Sequence, residues 1–288
     1  GGGGRSNRGH LAARAGRCRR HPRGNGPGRG GRHPYQPAGR AQRGDHRRAH
    51  RYCRRGDENL CAASQATCVG RPGGFADRIV VDSRYAFPIP EALSSETAAP
   101  LLCGGATVYS PLRRLGVTAH HHVGVLGIGG LGHLGLQFAR AFGCEVTALS
   151  STPAKELDAM SFGASHFLVL TDQAALAKAR CSLDFLLVTA LAELDWVKLV
   201  DLLKPNGTLC VVGAAATPVV VPTFALIVGQ KSICGSNIGS RTSIGEMLDF
   251  AARHGIAATT EVVPMAAANE AIARMRAGRA RYRMVLAS

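Results

Sequence analysis

The chain has 288 residues, of which 45% are hydrophobic, and a formal net charge of +16. This length can form two domains with a sizeable core. No apolar run of about 18 residues occurs, and no apolar stretch follows the N-terminal arginines, so we expect neither a membrane span nor a secretory signal. The nine cysteines lack the spacing of a small disulfide scaffold. We therefore expect free thiols or metal ligands in a reducing cytoplasm.

The positive charge is concentrated near the N-terminus. Residues 1–55 hold sixteen arginines, no lysine and one acid, Asp45, so they carry +15 of the total and leave +1 for residues 56–288. Basicity is therefore a property of one segment and not of a folded domain. That segment offers only Tyr35 and Tyr52 for stacking on bases, which makes RNA binding the less favoured alternative.

Residues 1–52 have an unusual composition, with thirteen glycines, one large aliphatic residue (Leu11) and no helical or strand period. Such a segment cannot bury enough apolar surface to offset its chain entropy. We interpret it as disordered or as non-native, for example as translation in a shifted reading frame. Ordinary globular sequence begins near Asp57.

From Asp57 onward the pattern predicts regular elements. A strand is predicted within residues 75–90, and a helix starting at Ser95 leads to a turn of small residues around Cys103. Short apolar runs then alternate with segments of helical period. The predicted strands are 123–128, 145–150, 165–170, 184–189, 208–213 and 232–237; the predicted helices are 131–142, 154–163, 243–255 and one around Trp196; a strand, a helix and a strand follow between 259 and 286. This alternation predicts an α/β fold with a doubly wound parallel sheet.

The motif GIGGLGHLG lies between the first strand of this alternation and its helix. Gly127, Gly129 and Gly132 have the GxGxxG spacing, with Gly130 and Leu131 between them. The first glycine allows a tight turn, the second lets the backbone approach a pyrophosphate, and the third lets helix and strand pack closely. The motif therefore predicts a dinucleotide site, with a glycine-rich turn that binds nothing as the alternative.

The end of the second strand indicates which dinucleotide is bound. NAD-binding proteins place an acid there to bond the ribose 2′-hydroxyl. Here the strand ends in Ser150, Ser151 and Thr152, with Lys155 three residues later. Hydroxyl groups and a cation suit a 2′-phosphate, so NADP(H) is favoured over NAD(H). The alternative is that Lys155 is only a solvated residue at the start of a helix.

Six blocks of the chain together resemble the zinc-dependent medium-chain dehydrogenase/reductases, and among them the cinnamyl-alcohol-dehydrogenase-like aldehyde reductases. The blocks are APLLCGGATVYSPLRRLG, VGVLGIGGLGHLGLQFARAFG, TALSSTPAKELDAMSFGA, LLKPNGTLCVVGA, GSNIGS and EMLDFAARHGI. The resemblance implies a partial GroES-like, β-rich catalytic domain at 53–103, an NADP-binding Rossmann domain at 104–255 and a return to the catalytic domain at 256–288. It also implies hydride transfer between NADP(H) and an alcohol or aldehyde, with zinc as Lewis acid, and a homodimer.

The resemblance assigns roles to individual residues. Cys103 matches a ligand of the catalytic zinc, and Thr107 matches a residue beside the nicotinamide. Cys53 and Cys61 match two ligands of a structural zinc lobe. Arg283 matches a basic residue near the cofactor phosphates. The remaining matches line the nicotinamide side of the cleft: Val212, Gly213, Ala214, Ser236, Asn237 and Ile238.

The chain also departs from the family pattern. The G-x-C-H-x-D and G-H-E blocks of the catalytic site are absent, and Arg47 and His50 stand where two structural cysteines belong. We therefore expect both zinc sites to be incomplete and turnover to be impaired. The alternatives are an inactive NADP-binding chain, a zinc-free reductase, and an improvised site formed by His46, His50 and the two cysteines. The histidines at 120–122 are interpreted as an exposed connection.

Overall fold

The computed structural model describes residues 51–67, 69–70, 73–76, 78–214 and 217–287. The segment 1–52 therefore lies outside the described residues, except for Arg51 and Tyr52, which begin helix α1 (Arg51–Arg55). The improvised site with His46 and His50 also lies outside them. The described residues form two compact units, 51–86 and 87–287.

The first unit, as far as it is described, contains helix α1 and two 3-10 turns, Glu58–Leu60 and Ser83–Tyr85. The strand predicted within 75–90 was wrong, because no strand forms in the described part of that range. A strand is stable only when a neighbouring strand pairs with it, and Asp82 instead caps the second turn by accepting the N–H of Arg84 at 3.0 Å.

The second unit begins with a helix that changes its winding. Helix α2 (Ser95–Pro100) is capped by Ser94, continues as a π-helical segment, Leu101–Gly105, and becomes α3 (Ala106–Arg114). The turn predicted around Cys103 was therefore wrong. The small residues there permit close packing, since a Cβ on Gly105 would lie 2.9 Å from the Leu101 side chain. Such π segments are frequent at functional sites.

A six-stranded parallel sheet occupies the centre of this unit, in the order β3-β2-β1-β4-β5-β6. The strands are β1 His122–Leu126, β2 Glu145–Ser150, β3 His166–Val169, β4 Leu183–Val188, β5 Leu203–Val211 and β6 Ser232–Gly235. The order reverses between β1 and β4, and ligands of open α/β sheets bind beside such a reversal, outside the carboxyl ends of the strands. The doubly wound α/β prediction is confirmed.

Helices cover both faces of the sheet. They are α4 Gly132–Ala141, α5 Glu156–Ser161, α6 Gln173–Lys178, α7 Trp196–Asp201, α8 Thr223–Ile227 and α9 Arg241–His254. Alternate strand residues enter two separate cores: Val125 belongs to a core that includes residues of α3, α4 and α9, whereas Leu126 belongs to one that includes residues of α6 and α7. The short helices α6 and α8 were not predicted.

The last elements form a separate parallel pair. Strands β7 (Thr260–Pro264) and β8 (Arg283–Ala287) are joined by helix α10 (Ala268–Arg276), and the predicted strand-helix-strand sequence is confirmed. No helix within the described ranges is long and apolar enough to cross a membrane.

Candidate functional site

The glycine turn between β1 and α4 has three glycines with different structural tasks. Gly127 adopts φ +93°, which side-chain-bearing residues rarely adopt. A Cβ on Gly132 would lie 1.7 Å from the carbonyl oxygen of Gly127, so only glycine fits there. A Cβ on Gly129 would meet nothing within 4 Å. The turn thus presents bare, open backbone at the N-terminus of α4, where unpaired N–H groups attract anions.

Thr189, at the end of β4, holds this turn and was missed by the sequence analysis. Its buried hydroxyl lies 2.9 Å from the carbonyl oxygen of Leu126 and 2.8 Å from that of Gly127, and it donates its proton to these acceptors. Its own N–H donates to Leu126 at 2.9 Å. A threonine directly after a largely apolar strand is the sequence signal, and it does not identify the partners.

We expect Thr189→Val to lower the free energy of unfolding by about 1–2 kcal/mol, because the partly buried Gly127 carbonyl and the Leu126 carbonyl lose their side-chain donor while the shape is kept. Chemical denaturation measures this. Thr208→Val is the matched control, since Thr208 is a strand threonine with no side-chain hydrogen bond to a described residue; its change should stay within about 0.5 kcal/mol. Equal effects of the two substitutions would contradict the assigned role.

His133, the residue after the third glycine, was also missed. It is fully buried; its Nδ1 donates to the Gly129 carbonyl at 3.0 Å, and its Nε2 accepts the N–H of Thr259 at 3.2 Å. Burial lowers the pKa of His133 to about 4, opposed by the hydrogen bond to Gly129. His133 is therefore neutral at pH 7, with its proton on Nδ1, and ties the glycine turn to the C-terminal part of the chain.

Arg283 joins the turn to the π-helical segment. Its Nε donates to the carbonyl oxygen of Gly130 at 2.7 Å, and a Cβ on Gly104 would lie 2.5 Å from its guanidinium. Burial lowers the pKa of Arg283, and the charge of Cys103 opposes that shift. The structure therefore brings together three predicted site residues, Arg283, Gly130 and Cys103. The guanidinium of Arg283 lies beside glycine backbone, where an anion can approach it.

Cys103 and Thr107 lie on the same helical segment. The thiol of Cys103 is exposed, whereas Thr107 is buried and its hydroxyl donates to the Cys103 carbonyl at 2.8 Å. Through the described ranges, no group of three or more His, Cys, Asp or Glu side chains is placed to hold a metal ion. Because a catalytic zinc takes three protein ligands, the described donor set does not fit one.

In the first unit, Cys53 and Cys61 are brought together. Burial raises the pKa of Cys53, and a hydrogen bond with Cys61 adds to the shift. The two thiols are thus hydrogen-bonded to each other, and two ligands are fewer than the four of a structural site. The described residues do not fit a structural zinc either.

The end of β2 presents hydroxyl groups and a cation. Ser150 is buried and its Oγ accepts the N–H of Thr152 at 3.2 Å, while Ser151 and Thr152 are exposed. Thr152 caps a 3-10 turn, Pro153–Lys155, by accepting from Ala154. The ammonium of Lys155 lies 4.8 Å from the ring centroid of Tyr282. These groups fit a phosphate on the adenosine ribose.

The remaining predicted residues follow β5 and β6, at the same edge of the sheet as the glycine turn. The N–H groups of Val212 and Gly213 both donate to the Val188 carbonyl, at 3.0 and 3.1 Å. A Cβ on Gly213 would lie 2.5 Å from the Ala190 carbonyl oxygen, so this loop packs tightly on β4. Ala214, Asn237 and Ile238 are exposed, and Ser236 is partly exposed.

The histidine run at 120–122 lies near the amino end of the sheet and is engaged locally. His121 accepts the N–H of Thr118 at 3.0 Å, and His122 bonds the Thr147 hydroxyl at 2.7 Å. His120 is exposed, but His122 begins β1 and is only partly exposed, so the whole run is not an exposed connection. His122 and Thr147 also line an open cavity of about 370 Å³ that is separate from the glycine turn.

Comparison with known proteins identifies the family. Residues 130–253 match the model of the zinc-binding dehydrogenase family. The chain is 44% identical over 243 residues to the probable cinnamyl alcohol dehydrogenase 6 of Arabidopsis thaliana, covering 81% of this chain and 67% of the relative. It is 41% identical over 234 residues to the aldehyde reductase AdhA of Synechocystis, covering 81% and 70%.

Solved structures agree. A cinnamyl alcohol dehydrogenase of Sorghum bicolor has a TM-score of 0.76 and 41% identity, over 82% of this chain and 70% of that one. The Helicobacter pylori cinnamyl alcohol dehydrogenase, solved with NADP(H), has a TM-score of 0.71 and 32% identity, over the same shares. The chain therefore belongs to the zinc-type medium-chain dehydrogenase/reductases, among the cinnamyl-alcohol-dehydrogenase-like alcohol dehydrogenases.

Proposed function

We propose that this chain binds NADP(H) at the carboxyl end of its parallel sheet and that its reaction is hydride transfer between NADP(H) and a primary alcohol or aldehyde. The observation that carries the proposal is the glycine turn. Gly132 packs directly against the carbonyl oxygen of Gly127. At Gly129, by contrast, an added Cβ would meet nothing within 4 Å, so the backbone at the start of α4 is open. This combination suits a pyrophosphate. The relatives' alcohol dehydrogenase and aldehyde reductase names support the reaction class.

The preference for NADP(H) rests on the end of β2. Exposed hydroxyls of Ser151 and Thr152 and the Lys155 ammonium can bond and neutralise a 2′-phosphate. Asp158, the acid three residues after Lys155, is engaged by Tyr282 and Arg281 at 2.5 Å each. Its negative charge is compensated by the guanidinium of Arg281. The Helicobacter relative solved with NADP(H) agrees with this assignment.

The chain's own residues have distinct tasks in the proposed reaction. When bound, NADPH supplies the hydride. The N–H groups at the start of α4 and the guanidinium of Arg283 hold the pyrophosphate, and Thr189 and His133 keep the turn in shape. We assign the nicotinamide side to Thr107 and to the loops after β5 and β6, which exclude water from the reacting carbon. No step is assigned to zinc.

We further propose that turnover is impaired, because too few potential zinc ligands lie beside Cys103 among the described residues to hold a catalytic zinc. The second candidate function, supported by the same donor set, is NADP(H) binding without turnover. The domain limits 53–103, 104–255 and 256–288, a cytoplasmic location and a homodimer stay predictions.

An oxidation assay combined with metal analysis tests the proposed reaction. We expect the purified full chain to contain far less than one zinc per molecule. We also expect it to oxidise NADPH with cinnamyl aldehyde at well below the roughly 1 s⁻¹ that marks a slow ordinary enzyme. Stoichiometric zinc with rapid turnover would contradict the impairment. A complete lack of NADPH binding would contradict the proposed function itself.

A further inference from the structure

Tyr282, the residue before β8, is the centre of a side-chain cluster and has no task of its own in the proposed function. Only 7% of it is exposed. Its ring stacks on His133, with centroids 5.0 Å apart, and meets Phe162 edge-on at 5.2 Å. Its hydroxyl donates to Asp158 Oδ2 at 2.5 Å. The ring is therefore fixed on several sides.

The same ring carries the ammonium of Lys155, 4.8 Å from its centroid. This distance is within the range of a cation–π interaction. No ion pair between Lys155 and a carboxylate occurs among the described residues, and Asp158 is bound to Arg281 instead. A lysine side chain is flexible and adopts many rotamers unless something holds it. The ring of Tyr282 is a described contact that holds the Lys155 ammonium.

The position of Tyr282 in the chain adds a second argument. The next residue, Arg283, reaches the Gly130 carbonyl in the glycine turn. Two adjacent residues thus contact both ends of the proposed dinucleotide site, one at the pyrophosphate turn and one at the end of β2. His133, which stacks on Tyr282, bonds the same turn at Gly129.

We propose that Tyr282 is a specificity-determining positioning residue, whose ring holds the Lys155 ammonium after the end of β2 so that the site selects ligands carrying a 2′-phosphate. This inference deepens the proposed function and rests on it. The ligand class is an adenosine nucleotide with phosphates at both the 2′ and 5′ positions. A lysine side chain that is already ordered binds phosphate without a further loss of side-chain conformational entropy.

Titration calorimetry on the full chain tests this with two ligands, adenosine 2′,5′-bisphosphate and adenosine 5′-monophosphate. The unchanged chain should prefer the bisphosphate. Tyr282→Leu removes the ring and should reduce that preference about fivefold, with the monophosphate affinity held within about twofold. Tyr282→Phe keeps the ring and loses only the hydroxyl, so it should retain the preference. Tyr282→Met serves as the second variant if Tyr282→Leu does not fold.

A double-mutant cycle separates positioning from a structural role. Lys155→Met alone should reduce the preference for the bisphosphate, and adding Tyr282→Leu should reduce it no further. Two results would overturn the role of Tyr282 and leave the NADP(H) proposal standing. One is a further loss of preference in the double variant; the other is an equal loss of affinity for both ligands in Tyr282→Leu. Equal binding of the two ligands by the unchanged chain would overturn the NADP(H) proposal together with this one.

Discussion

Gly132→Ala should abolish dinucleotide binding and lower the free energy of unfolding by about 3 kcal/mol or more, at the upper end of typical overpacking effects. The added Cβ would lie 1.7 Å from the Gly127 oxygen and 2.8 Å from its carbonyl carbon. Both are backbone atoms, so no flexible side chain can move away. The turn must shift, and Thr189 would lose its acceptor there.

Gly245→Ala is the matched control for this substitution. Gly245 lies inside helix α9, and a Cβ there would meet nothing within 4 Å. Alanine should therefore stabilise the chain by about 0.5–1 kcal/mol through helix propensity. Denaturation followed by fluorescence of Trp196, the single and buried tryptophan, measures both variants. A Gly132→Ala chain as stable as the original, with unchanged NADPH affinity, would contradict the close contact.

The second large effect is a loss of stability in acid that depends on His133. Burial lowers the pKa of His133 from its ordinary value of 6.5 to about 4 in the folded chain. Between these values the unfolded chain binds a proton that the folded chain does not, so stability falls as the pH drops from about 6.5 to about 4. The full difference amounts to about 3 kcal/mol. Denaturation midpoints across this pH range measure the slope.

Two variants isolate the contribution of His133. His133→Leu removes the titration and should flatten the slope, and it should itself destabilise the chain by about 2–4 kcal/mol, because the Gly129 carbonyl and the Thr259 N–H lose their partner. His120→Gln replaces an exposed histidine and should keep the slope of the original chain. An unchanged slope in His133→Leu would show that another group causes the acid loss.

The sequence predicts the sheet and the glycine turn well because both depend on local patterns. Apolar runs of strand length alternate with helical periods, and the glycine spacing is a property of six consecutive residues. By contrast, the strand predicted within 75–90 depends on a partner strand, which local sequence does not reveal. The run LLCGG predicted a turn because small residues are common there, whereas tertiary packing winds it as a π-helical segment.

The supporting residues of the site are missed for a related reason. Thr189 acts on a turn 62 residues earlier, His133 accepts from Thr259, 126 residues later, and Tyr282 meets Asp158 across 124 residues. No spacing rule connects residues so far apart. A polar side chain within an apolar helix, as His133 is within α4, marks such a residue but not its partner.

In the proposed function, the open backbone at Gly129 receives the pyrophosphate of NADP(H). Titration of the full chain with NADPH and NADH, repeated on Gly129→Ala, tests it most directly. We expect NADPH to bind at least about tenfold more tightly than NADH, since one charge-assisted phosphate contact accounts for such a factor. Gly129→Ala should keep the free energy of unfolding within about 0.5 kcal/mol, because the new Cβ meets no described atom, yet weaken NADPH binding by at least about tenfold. Tighter binding of NADH, or unchanged NADPH affinity in Gly129→Ala, would contradict the claim.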